Sequence, residues 1–217
     1  VTVIGGNGAG KSTMLNAVAG TWFVDEGQIL IDGTDVTKLP EHKRAAYLGR
    51  VFQDPMTSLD PAFSVGEQIA EVLRVHEGLS AKEARAEAVK MMELVKIPDA
   101  ASRYDQRPYQ FSGGMRQRIS IAAALAAKPK LLLADEPTTA LDETTRSGIM
   151  DLLRNAVRET GAAMLFITHD LSLVEGTADR VAVMKDGVIV EEGSTADVLE
   201  NPQHEYTKKL LGYLNYS

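Results

Sequence analysis

A G-x-x-x-x-G-K-[ST] motif near the start of the chain constrains its fold more than any other feature. The motif occupies residues 5–12, directly after the apolar run Val1–Ile4 and directly before a helical pattern. Glycines let successive backbone N–H groups converge on phosphate oxygens, and a helix N-terminus adds the positive end of its dipole. A turn that only connects a strand to a helix is the alternative, but strand, loop, Lys-Ser pair and helix occur in the required order. The motif predicts nucleotide binding and, alone, leaves the class of NTPase open.

The motif also predicts individual roles. Lys11 should reach the β- and γ-phosphates of a nucleotide, and the hydroxyl of Ser12 should ligate Mg²⁺. The residues that we expect to contact the nucleotide here are Gly5, Gly6, Asn7, Gly8, Ala9, Gly10, Lys11, Ser12 and Thr13.

Composition excludes several other classes. The chain has 217 residues, of which 44% are hydrophobic, which is ample for a buried core. Its formal net charge of -7, from 30 acidic and 23 basic residues, gives no sign of a basic stripe, so nucleic acid is not an expected partner. Without cysteine it has no disulfide, Cys-ligated zinc or thiolate nucleophile. The longest strongly apolar run, residues 119–127, is shorter than the roughly 18 to 20 residues that cross a bilayer.

The hydrophobic pattern indicates an α/β fold. Strands are predicted over residues 28–31, 48–52, 131–134, 163–167, 181–184 and 188–191, and a helix around Ile149–Arg158. Asp186-Gly187 predicts a hairpin between the last two strands. Because continuous apolar runs alternate with helices, we expect a mainly parallel sheet flanked by helices.

The block between Ser64 and Pro129 has a helical pattern instead. Ser64-x-x-Glu67 and Ser80-x-x-Glu83 each predict a capping box at a helix start. We therefore expect a single domain over residues 1–217, with an α/β core at 1–62 and 129–217 and an all-helical subdomain inserted at 63–128.

A second motif places two acids at the end of a strand. The apolar residues Leu131–Ala134 lead directly into Asp135 and Glu136. In a phosphate-binding protein this strand should lie beside the P-loop strand, with Asp135 holding Mg²⁺ and Glu136 orienting or deprotonating the attacking water. An acidic turn that merely closes a strand is the alternative, and the P-loop makes it the less favoured one.

A third motif is Ser112-Gly113-Gly114, which with residues 115–118 precedes the apolar positions Ile119, Ala122, Leu125 and Ala126 of a helical pattern. Ser112 is placed as a helix N-cap, and the two glycines let an anion approach the backbone. The segment predicts a second phosphate cradle, although by itself an ordinary capped helix explains it as well.

Taken in order, these motifs resemble the ATP-binding domain of an ABC transporter over essentially the whole chain. The matching segments are residues 5–12 (Walker A), Gln53 (Q-loop), 112–117 (signature), 131–136 (Walker B), 140–142 (D-loop) and His169 (switch histidine). The resemblance implies a P-loop NTPase fold, ATP and Mg²⁺ as ligands, and ATP hydrolysis. The other histidines, His42, His76 and His204, have no such context and are expected at the surface.

The resemblance also implies an obligate sandwich of two ATP-binding domains. ATP on Lys11 of one domain would be covered by Ser112, Gly113 and Gly114 of the other, with Asp142 in the adjoining D-loop. Gln53 would contact Mg²⁺ and the attacking water, and His169 would contact the γ-phosphate. Closure of this kind supplies charge stabilisation and excludes bulk water.

Two departures from the family pattern are visible. The signature has Phe111 and Met115 where Leu and Gln are usual, which is similar to oligopeptide and dipeptide importers. The family places an adenine-stacking aromatic residue upstream of Walker A, in strands that we expect to be missing before Val1. Its loss would weaken ATP binding by about one to two orders of magnitude and leave the triphosphate cradle intact.

The resemblance implies an ATPase subunit of a transporter for solute uptake, on the inner face of the cell membrane, partnered by permease subunits and a second ATP-binding domain. Residues 53–61 and 201–207 resemble peptide importers, and residues 39–44 look more like ATPases of amino-acid uptake systems. Residues 56–63 are the expected permease-docking region. A soluble ABC-type ATPase with an assembly or structural role, or a nucleotide-binding module without turnover, is the alternative; the compact helical insert lacks the sustained heptads of chromosome-type members.

Overall fold

A six-stranded, mainly parallel sheet forms the centre of the molecule. The computed structural model describes residues 1–212, with the side chain of Met56 excepted. Its strands are β1 (Thr2–Ile4), β2 (Leu30–Ile31), β3 (Thr34–Asp35), β4 (Leu48–Val51), β5 (Leu131–Asp135), β6 (Ala163–Ile167), β7 (Arg180–Lys185) and β8 (Val188–Ser194). The main sheet has the order β4-β5-β6-β1-β7-β8, in which only β8 is antiparallel to its neighbour, and β2 pairs with β3 separately.

The position of β5 corrects one prediction. The strand that ends in Asp135 and Glu136 does not lie beside the P-loop strand β1, because β6 lies between them and pairs with both. The chain leaves β5 through a helix of 18 residues and returns as the next parallel strand on the same side. Local sequence carries no signal for which strand fills this position, since β5 and β6 are both continuous apolar runs.

Helices cover both faces of the sheet. They are α1 (Lys11–Ala19), α2 (Glu41–Arg44), α3 (Pro55–Ser58), α4 (Val65–Glu77), α5 (Ala81–Leu94), α6 (Ala100–Arg103), α7 (Gly113–Ala126), α8 (Glu143–Thr160), α9 (Thr195–Glu200) and α10 (Glu205–Gly212), with short 3₁₀ turns at Pro108–Gln110 and Leu171–Leu173. One hydrophobic cluster joins α1 to β1 on one face. A larger cluster joins α4, α5, α7 and α8 to β5 and β6 on the other. The predicted α/β class is therefore confirmed.

The predicted capping boxes have different outcomes. At the start of α5, Ser80 accepts from the backbone of Glu83 and the Glu83 carboxylate accepts from the backbone of Ser80, so this box is complete. At the start of α4, Ser64 accepts from the backbone of Glu67, but the Glu67 side chain instead pairs with Arg74 and Tyr104. The second half of that prediction is wrong, because a charged partner two turns further along outcompetes a neutral N–H for the carboxylate.

The helical block shares its core with the sheet. Buried side chains of α4, α5 and α7 contact those of β5 and β6 in one continuous cluster. The division into a core at 1–62 and 129–217 and a helical subdomain at 63–128 stays a prediction, and residues 213–217 lie outside the described chain. Within residues 1–212 no helix is both long and apolar enough to span a membrane.

A buried arginine fastens the P-loop helix α1 to the segment before β4. Arg44 is fully buried, and its guanidinium donates to the carbonyl oxygens of Leu39 (2.7 Å), Ala17 (2.7 Å), Val18 (2.9 Å) and Thr37 (2.9 Å). Ala17 and Val18 lie in the last turn of α1, where carbonyls lack intrahelical partners and a cation is favoured. The far end of α1 is thereby held in place.

We expect Arg44→Met to lower the free energy of unfolding by about 3 kcal/mol, because it leaves buried carbonyl groups without donors. Urea unfolding measures the change. Lys43→Met is the matched control on the same helix, where the side chain is exposed, and should change stability by less than about 0.5 kcal/mol. Equal losses in the two variants would contradict this role of Arg44.

Candidate nucleotide-binding site

The P-loop wraps around a cavity at the N-terminus of α1. Gly8 and Gly10 adopt φ values of 79° and 98°, a left-handed conformation that suits glycine. The cavity has a volume of about 230 Å³ and is lined by residues 7–13 and by Glu136. In the described chain, the backbone N–H groups of Gly10, Lys11, Ser12 and Thr13 have no acceptor. Free N–H groups at a helix N-terminus form a ready anion site.

Lys11 places a largely buried amine at this cavity. The residue is only 7% exposed, and Nζ donates to the carbonyl oxygens of Gly5 (2.7 Å) and Gly6 (2.9 Å). Burial lowers the pKa of Lys11, while the charges of Glu136 and Asp135 oppose that shift. A buried cation held only by carbonyls and two nearby acids gains from a polyanion that enters the same cavity.

The two acids differ in environment. Asp135 ends β5, and burial raises the pKa of its carboxyl group against the opposing charge of Arg50. Glu136 follows it with a φ of 44°, which is rare for a residue with a side chain. Backbone strain of this kind clusters at functional sites. The predicted pair is thus present, with only Glu136 on the cavity wall.

Both carboxylate oxygens of Glu136 have a close polar neighbour. The hydroxyl of Thr139 donates to Oε2 at 3.0 Å, and His169 Nδ1 lies 3.0 Å from Oε1. The imidazole of His169 is 52% exposed, whereas the Glu136 side chain is 16% exposed. The structure therefore brings His169 next to the cavity-lining Glu136, with about half of the His169 side chain exposed.

Gln53 lies further out. It is exposed, and it does not line the cavity. The residue before it is fixed from two sides, because Gln117 of α7 donates to the carbonyl oxygen of Phe52 (3.0 Å) and the Arg50 guanidinium lies 4.5 Å from the Phe52 ring centroid. The segment that carries Gln53 therefore contacts both β4 and α7, and the exposed Gln53 side chain can approach a ligand.

The Ser112-Gly113-Gly114 turn has Ser112 and Gly113 exposed and Gly114 half-buried, and it lies outside the P-loop cavity of its own chain. Ser112 caps α7 by accepting from the backbone N–H of Met115 at 3.3 Å. A Cβ on Gly114 would lie 2.5 Å from Thr145 Cγ2, so glycine is required there for packing, whereas a Cβ on Gly113 would have no heavy atom closer than 4.0 Å. Gly113 therefore leaves open space in front of a helix N-terminus.

Asp142 reinforces the same region. Its carboxylate accepts from the backbone N–H of Thr145 at 3.0 Å and caps α8. The side-chain hydrogen bond from Thr145 lowers the pKa of Asp142. The N-termini of α7 and α8 thus lie next to each other, since Thr145 contacts Gly114.

The sequence analysis missed several residues around the site. Arg50 donates to Asn16 Oδ1 of α1 at 2.6 Å and so joins α1 to β4. Thr139 supports Glu136, and the hydroxyl of Tyr206 accepts from the backbone N–H of Gly6 at 2.9 Å. Thr139 follows Glu136 of the Walker B motif by three residues, so a search of the i+3 position could have found it. Tyr206 is 200 residues from Gly6 and carries no such clue.

The oxygen donors present suit Mg²⁺. The Ser12 hydroxyl and the Asp135 carboxylate are hard oxygen ligands, which Mg²⁺ prefers. No group of three or more His, Cys, Asp or Glu residues with metal-binding geometry exists within the described residues. This fits an ion held by one or two side chains and the phosphates of a nucleotide, as is usual for Mg²⁺, better than an ion in an all-protein cage.

Comparison with known proteins gives consistent matches. A family model described as ABC transporter matches residues 1–139. The oligopeptide transport ATP-binding protein OppD of Bacillus subtilis is 46% identical over 220 residues, covering 97% of this chain and 62% of that protein. The dipeptide transport ATP-binding protein DppD of the same organism is 45% identical, covering 97% of this chain and 65% of that protein. The chain therefore spans less than two thirds of the length of these relatives.

A solved structure agrees with these matches. A dimeric, post-hydrolysis state of an ATP-binding cassette bound to ADP and Pi has a TM-score of 0.77 and 32% sequence identity, covering 89% of this chain and 84% of that chain.

The opposite pKa shifts of two acids in the site predict opposite effects on stability. Because burial raises the pKa of Asp135, its charge disfavours the folded state at neutral pH, and protonation relieves this as the pH falls through the raised pKa. We expect Asp135→Asn to raise the free energy of unfolding near pH 7, and the gain to shrink as the pH falls.

Asp142→Asn is the matched comparison. Because the pKa of Asp142 is lowered, its carboxylate stabilises the folded state at pH values above the ordinary pKa of an aspartate. This contribution is lost as the pH falls through the lowered pKa. Asp142→Asn should therefore lower stability at neutral pH, with a loss that shrinks in acid. Chemical denaturation across a pH series distinguishes the two, and the same sign for both variants would contradict the analysis.

Proposed function

This chain belongs to the ABC transporter family, and from that premise we propose that it is a subunit that binds and hydrolyses ATP and couples closure of a dimer to solute uptake through a membrane permease. The observation that carries the proposal is the split site. The P-loop, Lys11 and Glu136 surround one cavity, while the Ser112-Gly113-Gly114 turn, with Ser112 and Gly113 exposed, lies outside it. A turn built for an anion but remote from its own cavity fits a site completed by another molecule.

Lys11 and the free N–H groups of the loop hold the phosphates in this proposal. The amine has three donors and gives two of them to the carbonyls of Gly5 and Gly6, so on binding it can give the third to a phosphate oxygen, whose charge offsets the cost of the buried cation. Phosphoryl transfer depends on position and charge stabilisation more than on covalent chemistry. The preformed loop supplies both before ATP arrives.

Glu136 and His169 act on the attacking water. Glu136 lies on the cavity wall, its carboxylate accepts from Thr139 and lies 3.0 Å from His169 Nδ1, and these contacts support a role in accepting the proton of a water in the cavity. The exposed part of His169 would contact the γ-phosphate. Gln53 would contact the attacking water, and the adjacent residue Phe52 is held by a hydrogen bond from Gln117. Ser12 and Asp135 would hold Mg²⁺, which neutralises charge on the β- and γ-phosphates when it is bound.

The second ATP-binding domain supplies the cover of the site. Ser112 and Gly113 of that domain would meet the γ-phosphate, with the N-terminus of α7 directed at it. Asp142 caps the neighbouring helix α8 and so fixes the N-terminus of α8, which would lie at the interface between the two domains. That domain is either a second copy of this chain or a similar chain. The cassette structure that is similar to this chain is itself dimeric and holds ADP and Pi, which supports the arrangement.

Peptides are the proposed cargo class. The relatives OppD and DppD are named for oligopeptide and dipeptide transport, which favours peptides over the amino acids that residues 39–44 suggested. The proposed permease-docking region is residues 56–63, in which Phe63 is 54% exposed and the Met56 side chain lies outside the described residues. A chain with these partners works at the inner face of the cell membrane. The helices α4 and α5, with 13 and 14 residues, are too short for the long coiled coil of chromosome-type members.

Glu136→Gln tests the catalytic assignment. The substitution keeps the shape and the hydrogen-bonding reach of the side chain but removes its basicity, so we expect ATP to bind, the dimer to persist, and hydrolysis to fall by about a hundredfold or more. Size-exclusion chromatography with ATP and Mg²⁺ measures the dimer. Glu159→Gln, on the exposed end of α8, should behave as the unsubstituted protein. A Glu136→Gln chain that stays monomeric where the unsubstituted protein dimerises would count against the role.

Gly113→Ala tests the composite site without disturbing the fold. A Cβ at this position has open space within its own chain, and alanine favours a helix start over glycine, so stability should stay within about 0.5 kcal/mol. The methyl group would nevertheless stand where a phosphate must approach. We expect ATP binding by the monomer to be retained and ATP-dependent dimerisation to fall about tenfold; unchanged dimerisation would refute close approach of this turn.

A further inference from the structure

The C-terminal part of the chain makes two hydrogen bonds to the backbone of the phosphate loop. The backbone N–H of Gly6 donates to the hydroxyl of Tyr206, at the start of α10, over 2.9 Å. The turn between β7 and β8 adds a second contact, in which the backbone N–H of Gly187 donates to the carbonyl oxygen of Ala9 at 2.8 Å. The loop is thus held by α10 and by the β7–β8 turn, both of which lie more than 170 residues from it in the sequence.

The Tyr206 contact acts on the same peptide group that holds Lys11. The Gly5–Gly6 peptide accepts from Lys11 Nζ at its carbonyl (2.7 Å) and donates to Tyr206 at its N–H (2.9 Å). The two bonds on opposite sides of one peptide plane fix its rotation, and each polarises the other. The orientation of this peptide therefore depends on the tyrosine hydroxyl.

The contact lies outside the cavity that the phosphate loop surrounds. The cavity is lined by residues 7–13 and Glu136, and neither Gly5 nor Gly6 belongs to that lining. A Cβ on Gly6 would lie 3.1 Å from the Tyr206 hydroxyl, so the loop passes close to that hydroxyl. The bond to Tyr206 is consequently compatible with phosphate in the cavity.

Tyr206 is itself fixed by several neighbours. The carboxylate of Glu191 on β8 accepts from the backbone N–H groups of Gln203 (2.7 Å) and His204 (3.0 Å). His204 Nδ1 accepts from the backbone N–H of Tyr206 at 3.1 Å, and Lys185 Nζ lies 5.3 Å from the centroid of the Tyr206 ring. His204, expected as an ordinary surface residue, is half-buried and forms part of this support.

We propose that Tyr206 is a positioning residue for ATP binding: its hydroxyl holds the Gly5–Gly6 peptide, and through it Lys11 and the phosphate loop, in the conformation that receives the triphosphate. This rests on the proposed function and adds a residue to the site that the loop motif does not contain. Preorganisation raises affinity because the ordering of the loop is complete before the ligand arrives. Tyr206 acts through the loop, so it affects how tightly nucleotide binds and leaves Glu136 and His169 unchanged.

Tyr206→Phe in the intact protein tests the proposal, with Tyr109→Phe as the matched control because that ring is 70% exposed. Loss of one hydrogen bond to the loop should raise the Kd for ATP with Mg²⁺, and the KM for hydrolysis, about fivefold, with kcat changed by less than about twofold. Calorimetry and steady-state kinetics measure these. In the nucleotide-free protein, the Gly6 amide should exchange with solvent faster in Tyr206→Phe than in Tyr109→Phe.

Two results overturn the proposal. One is a Gly6 amide whose exchange is unchanged in Tyr206→Phe, since the hydroxyl then holds nothing. The other is faster Gly6 exchange with ATP affinity equal to that of Tyr109→Phe, which would make the hydroxyl a structural contact without effect on binding. The exchange measurement needs no nucleotide, so it remains informative if the unsubstituted protein fails to bind ATP, a failure that would instead refute the proposed function.

Discussion

The buried amine of Lys11, at the N-terminus of α1, is the constraint on which the other parts of this structure depend. Lys11 is 7% exposed, and burial lowers its pKa even though Asp135 and Glu136 lie close enough to oppose the shift. Parallel strands place these groups together, because β1 and β5 end at the same edge of the sheet and each delivers its motif there. The charges are incompletely balanced within the chain, and a triphosphate with Mg²⁺ supplies the missing anionic and cationic partners in the proposed function.

The site combines several features that disfavour the empty folded state. Asp135 is a carboxylate whose pKa is raised by burial, and Glu136 adopts a left-handed backbone conformation. Such features persist only where surrounding structure determines them strongly. Here the support comes from a continuous sheet below, from Arg44 at the far end of α1, and from the outer contacts of Gly187 and Tyr206 on the loop. The rigidity of the phosphate loop is thus a property of the whole fold.

Sequence alone predicted what depends on local pattern. The loop, the acidic strand end and the serine-glycine turn are contiguous motifs, and the apolar pattern predicted six strands to within three positions, whereas α8 begins six residues before the predicted start. Sequence failed where long-range contacts decide. The position of β6 between β1 and β5, the pairing of Glu67 with Arg74 instead of with its cap, and the roles of Arg44 and Tyr206 all depend on partners that are distant in the chain or in competition. The roles of the catalytic residues themselves stay predictions.

The account depends most on Lys11 as the anchor of a bound triphosphate. Titration calorimetry of ATP with Mg²⁺ into the Lys11→Ala variant tests this directly, with Lys82→Ala on the exposed side of α5 as control. The account predicts that the Lys11 variant stays folded, since a buried charge has been removed, and that its heat of ATP binding is lost while the Lys82 variant binds like the unsubstituted protein. Equal ATP affinity in all three proteins would contradict it.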